Sequence, residues 1–384
     1  MKKLLLLSAG ALLSLSAMAQ VTEPTLTQVW ETEKANLPDD DKARYAVGVN
    51  GTIFIPWQTN SNVVCINKDG KTTIETGTKG WCATADEAGN IILQTGAGSS
   101  ASNQWAILPA GKTSKEDLID LGTLTSPDGC AANELHMVGR AIGNVMNADG
   151  GAFYVFAKNQ TKITKFFIAN GAQVADKTVA VEIGGDNAYT SSAQGLVQPI
   201  NSDVNATDNV IWTIRSTANS FYKLDGTAYK EYALTSTNTA CGTGGGDVLT
   251  LGGVEYTIEP SGTTYSDGFV IVDRTNDKVV YTRESTETTP FAASWNANVK
   301  SVTQVYTGFE KTSGTTANVY HFVGGVRAAM YTFEVPSVAT AIESVAVDAN
   351  APVEYYNLQG VKVANPENGL FIKKQGNKAT KVIL

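Results

Sequence analysis

A short apolar strand led by glycine or asparagine occurs six times in this chain, and that repetition limits the available folds more than any other feature. The copies are Gly51–Ile55, Gly89–Leu93, Gly151–Phe156, Asn209–Ile214, Gly268–Val272 and Asn318–Val323. Each is followed by a loop and a second apolar run, from Val63–Ile66 in the first copy to Ala328–Phe333 in the last. Hairpin signals such as Lys68-Asp69-Gly70, Ala169-Asn170-Gly171 and Leu224-Asp225-Gly226 close several second runs. Helix signals are scarce, the best being Ser114–Leu121. Sheets this short cannot bury a face alone, so stacked neighbours must share one core.

Ahead of the first four copies stand Ala46-Val47-Gly48, Ala83-Thr84-Ala85, Ala141-Ile142-Gly143 and Ala193-Gln194-Gly195. Residues two apart in a strand face the same way, so each triplet offers a small-residue face to a closely approaching backbone. The innermost strands of a β-propeller, crowded around a central channel, have that requirement. The expected architecture is therefore all-β: a propeller of six blades, with seven as the alternative, over residues 20–336. The run Thr27–Glu31 is expected to close the ring by adding a strand to the last blade, which reduces open sheet edges.

Residues 1–19 read as a targeting signal: Lys2 and Lys3, an apolar run from Leu4 to Leu15, and the small-x-small site Ala17-Met18-Ala19. The expected protein is exported, to periplasm, cell surface or beyond, without membrane insertion. Removing Lys2 and Lys3 takes the formal charge from −8 to −10. Such acidity disfavours nucleic acid and anionic membrane, which reward clustered Lys and Arg. The four cysteines Cys65, Cys82, Cys130 and Cys241 match no disulfide or zinc spacing. Buried thiols are the expectation, with Cys65–Cys82 the alternative bridge.

Texture changes after Pro336. Residues 337–351 read as a linker, and 352–384 as a small β-module of four short segments separated by turns such as Asn365-Pro366-Glu367-Asn368-Gly369. Its lysines (Lys362, Lys373, Lys374, Lys378, Lys381) outnumber its carboxylates, unlike the acidic remainder. The run Tyr355-Tyr356-Asn357-Leu358-Gln359-Gly360-Val361-Lys362-Val363, with Pro366, Gly369-Leu370-Phe371-Ile372 and the terminal Lys-Val-Ile-Leu, resembles the C-terminal sorting domains of secreted Bacteroidetes proteins. That resemblance implies recognition by a type IX secretion system or a related surface-export route. The repeated part resembles the secreted propellers of the same bacteria in general style.

No catalytic constellation assembles. His136 and His321 have no second His or Cys at ligand spacing, so no metal is expected. Gly111-Lys112-Thr113 lacks the upstream glycine of a phosphate loop, and Gly242–Gly246 leads into a strand. Asp203, Asn205 and Asp208 lack the glycine and distal glutamate of a calcium cage. No cofactor is implied. Asp247, Glu255, Asp267 and Asp273 lie near strand ends and are the carboxylates a polysaccharide-processing enzyme would draw on. Aromatics are the stronger lead: Trp57, Trp81 and Trp295 read as loop or strand-end residues able to stack on a sugar or anchor a partner. Arg44 should share the small-residue face and point to the channel mouth. The expected function is a non-catalytic binding or interaction protein for a glycan or envelope protein. A carboxylate enzyme and a structural envelope spacer are the alternatives.

Overall fold

Runs of Val, Ile, Phe and Tyr broken by Asn-Gly turns form antiparallel ladders wherever the structure describes them. The structure, a computed structural model, describes residues 22–32, 46–57, 62–77, 79–80, 82–95, 104–128, 130, 136–157, 162–182, 195–207, 210–214, 220–222, 228–231, 246–261, 268–284, 305–323, 327–337, 351–375 and 378–384. The chain divides into two units, Met1–Ser337 and Val338–Leu384.

The first strand, β1 (Thr25–Thr32), belongs to the last sheet of the first unit. Blade 1 follows with β2 (Val47–Val49), β3 (Thr52–Pro56), β4 (Asn62–Asn67) and β5 (Gly70–Glu75). Blade 2 holds β6 (Ala83–Ala85), β7 (Ile91–Thr95), β8 (Gln104–Leu108) and β9 (Ile119–Thr123). In blade 3, β10 (His136–Val138) and β11 (Ile142–Asn144) share the inner edge of β12 (Gly150–Ala157). β13 (Lys162–Ala169) then pairs with β14 (Ala172–Gln173) and β15 (Val179–Glu182). Blade 4 is β16 (Gly195–Pro199), β17 (Val210–Ile214), β18 (Ser220–Tyr222) and β19 (Ala228–Glu231). Blade 5 is β20 (Asp247–Leu251), β21 (Val254–Ser261), β22 (Gly268–Asp273) and β23 (Lys278–Arg283). Blade 6 is β24 (Val305–Lys311), β25 (Thr316–Val323) and β26 (Arg327–Glu334), completed on its outer edge by β1.

The inner strands touch in sequence around an axis. β2 contacts β6, β10 contacts β16, β16 contacts β20, β20 contacts β24, and β24 returns to β2. Between blades 2 and 3 the backbones bond directly, Ala141 N to Ala85 O at 3.1 Å and Glu87 N to Gly143 O at 3.1 Å. This is a β-propeller. The predicted ring closure by the N-terminal strand is present, with Thr25 opposite Glu334 and Thr32 opposite Ala328. Glu31 adds an ion pair to Arg327 and lies 3.8 Å from Arg283 of blade 5.

Five of the six predicted strands occupy the second place in their sheets. The exception is Gly268–Val272, which is third in blade 5, and Val254–Ser261 takes the equivalent place. β21 alternates Val254, Tyr256 and Ile258 with Glu255 and Thr257, whereas β22 is buried along its whole length and reads as an unbroken apolar run. The helix signal at Ser114–Leu121 yields only a 3-10 turn, Lys115–Asp117, capped by the Ser114 hydroxyl. Leu121 and Ile119 are needed by the outer strand β9 instead.

The core lies between blades. Trp105 of blade 2 meets Phe153 of blade 3 with ring centres 4.9 Å apart, and Phe153 stacks on Phe166 at 5.3 Å. Cys65, Cys82 and Cys130 are free thiols. Burial pushes Cys65 up to about 12 and Cys82 also well above the usual thiol range, so both are inert apolar filler. His321 is buried in β25. The targeting signal, Cys241 and Asp267 lie outside the described residues.

The second unit is one antiparallel sheet in the order β28 (Lys362–Val363), β27 (Val353–Tyr356), β29 (Leu370–Gln375), β30 (Lys378–Ile383). Its last residue is held by reciprocal bonds between Leu384 and Gly369 at 2.9 and 3.0 Å. None of its described side chains is buried.

Candidate functional site

Small side chains on the innermost strands leave space at the axis, and the six described sheets of the first unit meet there around a cavity of about 160 Å³. Blade 1 contributes Ala46, Val47, Gly48 and Val49, and blade 2 contributes Ala83, Ala85, Asp86 and Glu87. From blades 3 to 5 come Gly139, Arg140, Gln198 and Asp247, and from blade 6 Tyr306, Phe309, Glu310 and Lys311. The first two predicted small-residue triplets therefore line the channel. In the third copy Gly139 and Arg140 do so in place of Ala141 and Gly143, because the inner edge of blade 3 is split between β10 and β11. A Cβ on Gly139 would lie 1.7 Å from the Val197 carbonyl oxygen of blade 4. The close backbone approach inferred from the triplets is realised there.

Polar groups at the axis lace successive blades together from blade 2 round to blade 1. Asp86 accepts from Ala88 N (3.0 Å), Asn90 N (2.9 Å) and Asn90 Nδ2 (2.8 Å) within blade 2, and from Val145 N of blade 3 (2.8 Å). Glu87 accepts from Gly143 N at 3.0 Å and from the Ser202 hydroxyl. Gln198 accepts from Arg140 N at 2.8 Å and donates to Gly246 O at 2.8 Å, joining blades 3, 4 and 5. Asp247 accepts from Val248 N and, across to blade 6, from Phe309 N, both at 2.8 Å. The ring closes where Gly48 N donates to the Tyr306 hydroxyl (3.1 Å) and Asn50 N to Glu310 (2.7 Å). Asn318 and Tyr320 also donate to Glu310.

Burial dominates the electrostatics. It pushes the carboxyl of Asp86 up, against the pull of Asn90 and Val145. It pushes Asp247 up too, partly offset by Arg140 and two backbone donors. Burial and the nearby Asp247 charge raise the Tyr306 phenol well above its usual range. Arg140 spans three blades. Its Nη2 donates to Pro199 O (3.2 Å) and Val248 O (3.3 Å), and its Nη1 lies 3.7 Å from Asp247 Oδ1.

The sequence-predicted ligand residues fare differently. Trp57 directly follows β3, is half-buried, packs against the cluster of Trp30, Ile53 and Tyr320, and offers its carbonyl to Gly80 N at 3.2 Å. It is wedged between blades rather than set in a loop, and the described cavity wall does not include it. Arg44, Trp81 and Trp295 lie outside the described residues. Of the candidate carboxylates, Asp247 reaches the axis, whereas Asp273 accepts from Asn276 in a turn at the rim of blade 5. The residues that sequence reasoning missed are Arg140, Gln198, Asp86 and Glu310. A signal existed for Asp86, since Asp-Glu-Ala-Gly-Asn follows the Ala83–Ala85 triplet directly.

Among the described residues no group of three His, Cys, Asp or Glu side chains is placed to hold a metal ion. At the Asp203 loop a protein cation serves the backbone: Lys165 Nζ donates to Val204 O and to Ala206 O, the latter at 2.8 Å.

No known protein family and no curated protein matches the chain. It is similar to solved structures of a streptogramin B lyase, at 12% identity over 81% of this chain and 98% of that one (TM-score 0.38). It is also similar to the N-terminal domain of Nup159, at 11% identity over 76% of each chain (TM-score 0.37). A third is an S. cerevisiae assembly of dbp5 with nup159, gle1, IP6 and ADP, at 10% identity over 76% of each chain (TM-score 0.35). The ring of sheets defines the propeller independently of these likenesses.

Proposed function

We propose that this propeller is an exported, non-catalytic binding or interaction protein that presents its axial mouth to a glycan or an envelope protein. In the same reading, the C-terminal sheet is its address to a Bacteroidetes-type secretion machinery. The observation that carries the binding reading is the chemical state of the axial carboxylates. Asp86, Glu87, Asp247 and Glu310 each accept from two or more donors that tie neighbouring strands or blades together. Carboxyls committed in this way hold a shape and are poorly placed to carry protons in a reaction. A pure spacer would have an apolar, side-chain-filled channel, whereas here an open cavity carries a guanidinium and a charged rim.

The test is a glycan array together with affinity measurements on purified envelope components. Both use the full chain and Ala83→Leu, which fills part of the cavity. Binding by the parent that drops at least tenfold in the variant is expected. Retained binding would move the site off the axis, and silence toward every glycan and component would end the binding reading.

A further inference from the structure

Resting on that reading, we infer that the axial cavity takes a quaternary ammonium group, such as the trimethylammonium head of choline. The wall is negative on balance. Arg140 is paired with Asp247, Nη1 lying 3.7 Å from Oδ1, which leaves Asp86, Glu87 and Glu310 against Lys311. A cleft dominated by one sign of charge gathers ions of the other. The carboxylates attract a cation but have little left to offer a hydrogen-bond donor. Asp86 holds two donors on each oxygen, Ala88 N and Asn90 N on Oδ1, Asn90 Nδ2 and Val145 N on Oδ2. Asp247 holds Val248 N on Oδ1 and Phe309 N on Oδ2. Glu310 takes Asn50 N on Oε1, and Asn318 Nδ2 and the Tyr320 hydroxyl on Oε2. Glu87 takes the Ser202 hydroxyl on Oε1 and Gly143 N on Oε2. A primary ammonium leaving water needs partners for its N–H groups, and unmet ones are costly. A quaternary ammonium has no N–H and needs only the field.

Tyr306 adds an independent preference for the same group. Its ring lies along the wall over Gly308 of its own strand, where a Cβ would come within 2.7 Å of the phenol Cζ, so the absent side chain makes room for it. An aromatic ring attracts a cation set over its face, and quaternary ammonium ions are recognised in this way. Val47, Val49, Ala83 and Ala85 supply small apolar surface for the methyl groups. A cavity of about 150 Å³ accommodates a molecule the size of benzene, so at about 160 Å³ the occupant has roughly six heavy atoms. The trimethylammonium group and its first carbons fit that space. The group can arrive as a free compound or as a choline substituent on a glycan.

Saturation-transfer NMR and calorimetry on the full chain, with tetramethylammonium, choline and phosphocholine as probes, test this. Controls are tert-butanol, similar in shape but neutral, and ethanolamine, which keeps its N–H groups. Tetramethylammonium and choline should bind about tenfold more tightly than either control, and the tighter of choline and phosphocholine identifies the source. Tyr306→Leu should lower that affinity about tenfold, whereas Tyr306→Phe, which keeps the ring, should retain it. Because the Tyr306 hydroxyl also serves Gly48 N, Lys311→Ala provides a second arm at an exposed residue. Removing that positive charge should tighten tetramethylammonium and leave tert-butanol unchanged. Equal binding of the ions and tert-butanol, preference for ethanolamine, full affinity in Tyr306→Leu, no gain in Lys311→Ala, or no binding at millimolar ion would overturn the assignment. If the ions fail while a glycan or envelope component still binds in an Ala83→Leu-sensitive manner, the ligand class is wrong and the binding reading stands. Failure of both removes both.

Discussion

Asp86 shows how a single side chain can govern a joint between blades. Its carboxyl is 3% exposed and receives four donors, one of them from the next blade. Burial still raises its folded pKa above the usual 3.8. A raised folded value means the proton binds more tightly in the folded state. The resulting stabilisation is complete below 3.8 and disappears as pH climbs through the raised value. The stability of the parent relative to Asp86→Asn should therefore increase as pH falls from neutral toward 3.8. The gain is about 1.4 kcal/mol for each unit of pKa elevation. Urea titrations of both proteins at a series of pH values measure it. A flat or inverted difference would show that the hydrogen bonds outweigh burial.

At the scale of elements, β1 is the most exposed to test. It supplies the outer strand of blade 6, and Trp30 fits between Met330, Phe322 and Ile53 with 8% of its surface left. Trp30→Ala should cost about 3–5 kcal/mol, as large-to-small core changes do. Denaturant melts read this directly, and a loss below about 1 kcal/mol would mean that β1 contributes little to the ring. Strand positions were legible where apolar density and turn chemistry agreed. Asn170-Gly171, with φ of 51° and 69°, makes the predicted hairpin between β13 and β14. They were illegible where burial on both faces made a third strand look like a second, as at Gly268–Val272. The site was harder to see for a similar reason. Arg140 sits between two fragments of a split inner edge and acts through contacts with residues 59 and 108 positions away, which no local pattern encodes.

At the scale of the molecule, two units of unlike texture share one chain. The propeller has an apolar interior, whereas the four-stranded sheet of residues 351–384 buries none of its described side chains and leaves Ile383 81% exposed. A sheet with so little burial contributes little cooperative stability of its own. Ending the chain at Ser337 should leave the main melting transition within about 1 kcal/mol of the parent, in keeping with a separate unit. In a Bacteroidetes host the same truncation should strand the protein in the periplasm under the address proposed above. Fractionation checks this, and surface delivery of the shortened chain would refute that address. Charge and turn frequency shift at Pro336, and the first unit ends at Ser337. The axial cavity was readable only as a row of small residues.

The junction of Thr25–Thr32 with Arg327–Glu334 also bears on timing. The earlier-made of these two strands finds its partner only after some three hundred further residues have been made, the spacing of the Glu31–Arg327 pair. Until then β1 has no sheet to join and the circle stays open, so the final, cooperative step waits for the synthesis of β26. Contacts between such distant stretches slow folding, and a chain that closes late remains threadable through a translocation pore for longer than one that folds from its leading end.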